Sequence, residues 1–320
     1  MKVVTVLSAI AAVLMTSSSV PAAPSEMDCR PWEMRTVAEG LDRIENLEPD
    51  GTGGMLISAG PRNAIERLTP DGERTTAFSE VRGPGGLRVR GKTLFAVTDG
   101  NLVDGATNSP NGKIETFDLH TGDRQVYSEG LTAPNGLVIE KDGDAYVSRD
   151  FGTFDPSDPW IPDPFSGGIG SDMYVTRVPA DDPARPQTTW ADLPDTNGLE
   201  IDKTNTWLYA VTTFNFNAEV YRVRLDDPSL IEKIADLGSV SDPANGLDDM
   251  TSGKDGNLYI TANGMGRIWR LDPLTGERCI IASGLQNPTA AKFGRGPGWP
   301  SSHLYVSGWD GKVRELIPPQ

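Results

Sequence analysis

Apolar residues in this chain come in short runs, with no helical spacing. Six times a small-residue turn opens into an apolar run, a short polar turn follows, and a second apolar run comes next. The clearest copies are Pro134-Asn135-Gly136-Leu137-Val138-Ile139 with Asp144-Ala145-Tyr146-Val147-Ser148, and Asn245-Gly246-Leu247-Asp248-Asp249-Met250 with Asn257-Leu258-Tyr259-Ile260-Thr261. The others open at Glu45-Asn46-Leu47, Pro84-Gly85-Gly86-Leu87, Asn197-Gly198-Leu199 and Asn287-Pro288-Thr289-Ala290. The aliphatic that follows each opening falls at 47, 87, 137, 199, 247 and 290, in steps of 40, 50, 62, 48 and 43. Each repeat adds a third stretch that alternates polar and apolar residues, such as Gly112-Lys113-Ile114-Glu115-Thr116, and ends in a turn such as Asp272-Pro273-Leu274-Thr275-Gly276. Strand-length runs at a drifting period of this size predict an all-β fold, a six-bladed β-propeller.

The sixth repeat lacks a fourth strand, which would leave an exposed sheet edge. Met34-Arg35-Thr36-Val37-Ala38-Glu39-Gly40-Leu41 resembles Arg278-Cys279-Ile280-Ile281-Ala282-Ser283-Gly284-Leu285, the outer strand leading into blade six. Residues 33–39 are therefore expected to complete the last blade and close the ring; the alternative is a loose N-terminal arm. Cys29 and Cys279, the only two cysteines, sit where a disulfide would reinforce that closure. Such a bond would remove roughly 4–5 kcal/mol of unfolded-chain entropy on a loop-closure model. Two unpaired thiols remain the alternative, because sequence does not give the distance between the Cα atoms.

Residues 2–23 run from Lys2 through an apolar core to Val20-Pro21-Ala22-Ala23, the pattern of a secretory signal peptide cleaved near Ala22/Ala23. The apolar stretch is too short to span a bilayer comfortably. The expectation is a protein exported to the periplasm or the extracellular space, with residues 24–320 forming a single domain. Net charge is −16, which argues against nucleic acid or anionic membranes as partners, since both need cationic surface. A small-molecule substrate and a monomer are the remaining expectations.

The repeat's chemistry lies in one slot. Counting back from the second-run landmark, Glu45 precedes Leu56 by 11 residues, Asn135 precedes Tyr146 by 11, Asp248 precedes Tyr259 by 11, and Asn197 precedes Tyr209 by 12. Equivalent ends of the inner strands of a propeller face one mouth, so these four oxygen-bearing side chains converge. Blade two has Gly85 in that position, and blade six has Asn287 near a Pro-Thr turn. Two carboxylates and two amide carbonyls are hard oxygen ligands suited to Ca²⁺, with Mg²⁺ or Mn²⁺ as alternatives. Asp249 is a candidate fifth oxygen. Zinc fits poorly, because His120 and His303 are placed away from the mouth. The bland reading is that each Asn caps a turn, Asn-Gly being a common turn pair.

On Glu45, the Asn135-Gly136-Leu137 and Asn197-Gly198-Leu199 turns, the Asp248-Asp249-Met250 segment with Asp255-Gly256-Asn257-Leu258-Tyr259, and Asn287-Pro288-Thr289, the chain resembles the regucalcin/gluconolactonase family of six-bladed propellers and, more distantly, the paraoxonases. The resemblance implies a divalent cation, usually calcium, held by Glu45, Asn135, Asn197 and Asp248, and hydrolysis of lactones or related esters. Two departures matter. Gly85-Gly86 stands where paraoxonase-like enzymes place a histidine, so a histidine base is absent. Asn46 and Gly136 stand where those enzymes hold a second calcium, so one cation is expected.

In such a site a cation would polarise the carbonyl and stabilise the oxyanion. The proton acceptor is expected to be Asp248, with Asp249 second. Substrate selection is expected in the loops at the same mouth, above all the long blade-three loop from Arg149-Asp150 through Trp160 and Phe165 to Asp172. Trp160 and Phe165 would cover an apolar substrate, and Arg149, beside Asp150, would hold a carboxylate or hydroxyl. Asn215 and Trp309 are further candidates, whereas Trp207, Trp269 and the second-run tyrosines read as core. The alternatives are a non-hydrolytic biosynthetic enzyme, as in strictosidine-synthase-like propellers, and a binding propeller with a structural cation.

Overall fold

The computed structural model describes residues 27–152, 173–193, 196–213, 218–238 and 246–320. These residues form six four-stranded antiparallel sheets. Blade one comprises Leu47–Pro49, Met55–Ala59, Ala64–Leu68 and Arg74–Phe78; blade two comprises Leu87–Arg90, Thr93–Thr98, Gly112–Asp118 and Arg124–Leu131. Blade three is Pro134–Ile139, Ala145–Arg149, Tyr174–Val178 and Gln187–Asp192, and blade four is Thr196–Ile201, Trp207–Thr212, Glu219–Arg224 and Ile231–Asp236. Blade five follows with Leu247–Ser252, Leu258–Ala262, Arg267–Leu271 and Arg278–Ser283. The sixth sheet has Pro288–Phe293, Leu304–Gly308 and Val313–Ile317, and its outer strand is Glu33–Ala38.

The N-terminal strand closes the ring, as the sequence similarity to blade five's outer strand predicts. Glu33 pairs with Ile317, Arg35 with Glu315 and Ala38 with Val313. Just before it, Cys29 is bonded to Cys279 across a Cα–Cα distance of 5.7 Å. Trp32 continues along the same edge, donating its backbone N–H to the Ile281 carbonyl at 2.8 Å and packing on Tyr259 at 5.5 Å. The chain thus crosses blade five's outer strand before it enters blade six.

Each blade is covered on both faces by its neighbours, which is why the second strands are apolar on both sides. Every residue of Met55–Ala59, Ala145–Arg149, Leu258–Ala262 and Leu304–Gly308 is buried. Val211 and Val220 of blade four pack with Leu258 and Ile260 of blade five, and Tyr259 and Ile268 with Leu304 and Val306 of blade six. The outer strands face water on one side, as in Arg74–Phe78, and alternation weakens there.

Helix is confined to a 3₁₀ turn at Gly60–Arg62 and one short helix, Leu102–Ala106, among the described residues. The helix lies in the blade-two loop between Thr93–Thr98 and Gly112–Asp118, and Asn101 caps it by accepting the Asp104 backbone N–H at 3.0 Å. No helix among the described residues is long and apolar enough to cross a membrane. The expected signal peptide lies outside the described residues.

Candidate active site at the channel mouth

Strand register settles which residues are equivalent. Leu56, Tyr146, Tyr209 and Tyr259 pair with Glu48, Val138, Glu200 and Thr251. Glu45, Asn135, Asn197 and Asp248 each stand three residues before those partners. The four side chains therefore share one layer, and the longer count to Asn197 reflects an extra residue in blade four's turn. The same register puts Gly85 in blade two's slot, since Phe95 pairs with Arg88. In blade six Tyr305 pairs with Lys292, which makes Thr289 the equivalent residue in place of Asn287. The Thr289 hydroxyl is spent on the Ile44 carbonyl at 3.0 Å and on Ser307 Oγ at 2.9 Å.

A shared irregularity aims this layer at the mouth. The inner strands of blades three to six break register at one place, between Pro134 and Leu137, Thr196 and Leu199, Leu247 and Met250, and Pro288 and Ala291. A bulge leaves a backbone N–H without its ladder partner and redirects a side chain. Hydroxyls on the second strand take up those donors: Gly136 N–H reaches Ser148 Oγ and Asp249 N–H reaches Thr261 Oγ1, both at 2.8 Å, and Ala290 N–H reaches Ser307 Oγ at 3.2 Å. The glycines of the two Asn-Gly pairs answer to crowding. A Cβ on Gly136 would lie 2.1 Å from the Asn197 carbonyl oxygen, and one on Gly198 would lie 2.4 Å from Asp249 Cα. Neither adopts a positive φ, so these pairs serve close approach of neighbouring strands and are not turns.

Above this layer lies a cavity of about 830 Å³, lined by Glu45, Asn135, Asn197 and Asp248 together with Asp150, Asn263 and Trp309. Asn135 Nδ2 donates to Asp150 Oδ2 at 2.9 Å, and Asn263 Nδ2 donates to Asp248 Oδ2 at 2.9 Å. Asn197 Nδ2 approaches Asp248 Oδ1 at 3.4 Å, and Asn287 Nδ2 donates to Asn263 Oδ1 at 3.0 Å. Trp309 Nε1 donates to Glu45 Oε2 at 3.0 Å. Asp150 Oδ1 is buried without a hydrogen-bond partner.

Three carboxylates crowd this space. Burial pushes Asp150 up to about 7, with the Asn135 amide opposing the rise and the charge of Glu45 adding to it. Burial likewise raises Asp248 well above the usual carboxylate range, and Glu45, Asp150 and Asp249 reinforce the shift. Glu45 is raised by burial too, against the Trp309 N–H and the charge of Arg43. A divalent cation relieves this kind of repulsion. Two amide oxygens, from Asn135 and Asn197, and the carboxylates of Glu45 and Asp248 form a hard donor set that fits calcium.

Several expected residues lie elsewhere. Asp249 is not among the cavity's lining residues: its Oδ2 accepts from Lys292 Nζ at 2.8 Å and from Asn46 Nδ2 at 3.0 Å. That ion pair withdraws it from a role as fifth oxygen or proton acceptor. Arg149 is buried and does not line the cavity either. Its Nε donates to the Phe151 carbonyl at 2.9 Å, its Nη2 to that of Gly105 at 3.2 Å, and its guanidinium lies over Tyr174. It ties the blade-three loop to the blade-two helix, so the expected substrate role gives way to a packing one. Asp150 and Trp309 do line the cavity, whereas Trp160, Phe165 and Asn215 lie outside the described residues.

Asn263 and Arg43 are lining residues the sequence reading missed. A signal existed for the first: Asp150 follows Asn135 by 15 residues, and Asn263 follows Asp248 by 15. In blades three and five the residue just past the second strand is hydrogen-bonded to the slot residue. Glu140, Asp142 and Asp144 form a separate acidic trio in the turn at the opposite end of blade three, with oxygens within 4.8 Å of one another. Asp144 is already paired with Arg177, and Glu140 accepts from the Tyr146 hydroxyl and Asn205.

Residues 61–308 match the family model described as the SMP-30/gluconolactonase/LRE-like region. The chain belongs to this family. Among solved structures it is similar to a gluconolactonase from Xanthomonas campestris, at 17% identity over 94% of this chain and 99% of that one, with a TM-score of 0.69. It is also similar to a calcium-binding regucalcin from Agrobacterium tumefaciens, at 16% identity over 90% and 94% of the two chains and a TM-score of 0.62. Virginiamycin B lyase from Staphylococcus aureus shares 14% identity over 90% and 99%, with a TM-score of 0.55. At these identities the likeness is one of fold. No curated protein sequence matches the chain.

Proposed function

We propose that this lactonase-like propeller is an exported, divalent-cation-dependent hydrolase of lactones or related esters. Glu45, Asn135, Asn197 and Asp248 would hold one cation, calcium ahead of magnesium or manganese. When bound it supplies Lewis acidity toward the substrate's carbonyl oxygen. The observation that carries the reading is the convergence of these four side chains on one cavity beside the unpartnered Asp150 oxygen.

Proton transfer belongs to Asp150 on this geometry. Both oxygens of Asp248 face amide donors, from Asn197 and Asn263, which suits a fixed ligand better than a base. Asp150 Oδ1 has no such partner, while Oδ2 is anchored by Asn135. It would accept the proton of a water attacking the lactone carbonyl, and the ring C–O bond would break to give a hydroxy acid once the leaving oxygen is protonated. Asn263, steadied by Asn287, orients Asp248 and offers its remaining amide hydrogen to ring hydroxyls. The leader at 1–23 would direct export, leaving 24–320 as one monomeric domain.

A panel of γ- and δ-lactones and aryl esters, assayed with calcium and with chelator, tests the proposal. Hydrolysis abolished by chelator is expected. Asp150→Asn should lower kcat by about 10²- to 10⁴-fold, the usual worth of a positioned acid–base group, with calcium still bound. A full rate in that variant removes Asp150 from the chemistry. Calcium raising the melting temperature with no turnover of any ester would make the protein a binding propeller.

A further inference from the structure

Arg43 is the single Lys or Arg among the described residues lining the cavity, against the carboxylates of Glu45, Asp150 and Asp248. It stands two residues before Glu45, so one backbone segment fixes both. Its guanidinium lies over the Trp309 indole, 4.4 Å from the ring centroid. The same indole binds Glu45 through Nε1 at 3.0 Å. Trp309 thus works as a bracket, its edge fastened to a proposed ligand carboxylate and its face carrying the cation.

The charge of Arg43 acts on Glu45, but the two side chains form no direct ion pair. The Trp309 N–H occupies Glu45 Oε2, and the guanidinium is held on the ring face, making no ion pair or side-chain hydrogen bond with another described residue. Stacking uses the face of a guanidinium and leaves its in-plane N–H donors free, in the fork that matches a carboxylate or phosphate. Without Arg43, three carboxylates and one divalent cation would leave the cavity net negative. At this corner of the rim an anionic substituent meets a matching fixed charge.

We propose that Arg43, stacked on Trp309, is a subsite for an anionic substituent of the substrate, so that the preferred lactones carry a carboxylate or a phosphate ester away from the reacting carbonyl. This rests on the lactone-hydrolase reading. The fork at the rim holds the anionic group while the lactone carbonyl reaches the ligand layer beneath, and orientation follows from the two attachments.

The test compares three lactones of one ring size, bearing a hydroxyl, a carboxylate or a phosphate ester, with wild type, Arg43→Ala and Arg43→Lys. The quantity read is the ratio of kcat/KM for each anionic lactone to that for the neutral one. Arg43→Ala should lower that ratio roughly 10- to 100-fold, the worth of a charged hydrogen-bond pair, mostly through KM. Arg43→Lys should restore only part of it, since an ammonium lacks the fork. Whichever anionic lactone shows the drop identifies the group. An unchanged ratio in Arg43→Ala, or no anionic preference in wild type, overturns the proposal. If no lactone is hydrolysed, calorimetric titration with a mono- and a dicarboxylic sugar acid separates the two failures. Tighter dicarboxylate binding that is lost in Arg43→Ala upholds the subsite, and equal binding by both proteins removes it.

Discussion

Lys292 Nζ lies 2.8 Å from Asp249 Oδ2, both side chains being about 5% exposed, in the channel beneath the mouth. The ammonium also donates to the Met250 carbonyl at 2.9 Å. Register places Glu48, Arg88, Glu200 and Lys292 in one layer, and Arg88 reaches Glu200 at 3.7 Å. Two acids and two bases thus form an ionic floor under the acidic cavity, Glu48 and Lys292 buried and Arg88 and Glu200 partly so.

Removing one partner of a buried pair leaves an uncompensated charge, at a cost of about 3–5 kcal/mol. Lys292→Met should show a loss of that order in urea unfolding. The double variant with Asp249→Asn should lose less than the two single losses added together, because no charge is then stranded. Strict additivity would show that the pair is uncoupled.

Thr261 holds the bulge that aims Asp248. Its hydroxyl accepts the Asp249 backbone N–H at 2.8 Å and donates to the Thr289 carbonyl at 2.9 Å. Thr261→Val keeps the shape and strands both groups, each worth about 1–3 kcal/mol when buried. Chemical denaturation should report a loss of about 2–6 kcal/mol, and calcium titration a weaker site. A loss below about 0.5 kcal/mol would mean that the backbone keeps the bulge unaided.

Glu315 fastens the ring closure. It is buried, accepts from His303 Nδ1 at 2.6 Å and from the Tyr305 hydroxyl at 2.7 Å, and pairs with Arg35 of the N-terminal strand. Burial pushes its carboxyl up, but these three partners more than offset that and hold it below the usual 4.5. A folded value below the unfolded one means that the group stabilises the protein above about pH 4.5. That stability is lost as pH falls through the folded value. Wild-type melting temperature should therefore fall on acidification below pH 4.5, and Glu315→Gln should be less stable at neutral pH with a shallower fall in the same window. Parallel pH profiles would count against it.

The Cys29–Cys279 bond spans 250 residues. Replacing both cysteines by serine, or reducing the native protein, should cost about 2–5 kcal/mol, read as a lower melting temperature. Mass analysis without reductant should find the native protein two hydrogens lighter than its reduced form.

The slot residues were legible because a propeller makes register local: each of Glu45, Asn135, Asn197 and Asp248 sits a near-constant distance before a strand landmark, so counting suffices. Blade six misled, since the conspicuous Asn287 lies two residues before the true slot, Thr289. Asp150 follows Arg149 in sequence and suggests a substrate contact, while its bond to Asn135 is foreshadowed only by a 15-residue spacing that repeats in blade five. Arg43 and Lys292 were invisible for a different reason. Arg43 is defined by Trp309, 266 positions further along, and Lys292 by Asp249, 43 residues earlier. Arg149 erred the other way, because a cation beside a loop looks available until the carbonyls that absorb it are placed.

The sheet that seals the ring has a consequence for how the molecule comes into being. Arg35 and Glu315 face each other across 280 residues of chain. At about 5–20 residues per second of synthesis, the first strand waits roughly 14–56 s for its partner. During that interval blade six has no outer strand and Glu33–Ala38 has an unsatisfied edge, so the ring cannot lock until Val313–Ile317 has been made. Sealing the ring is therefore a late step that joins two segments far apart in the chain.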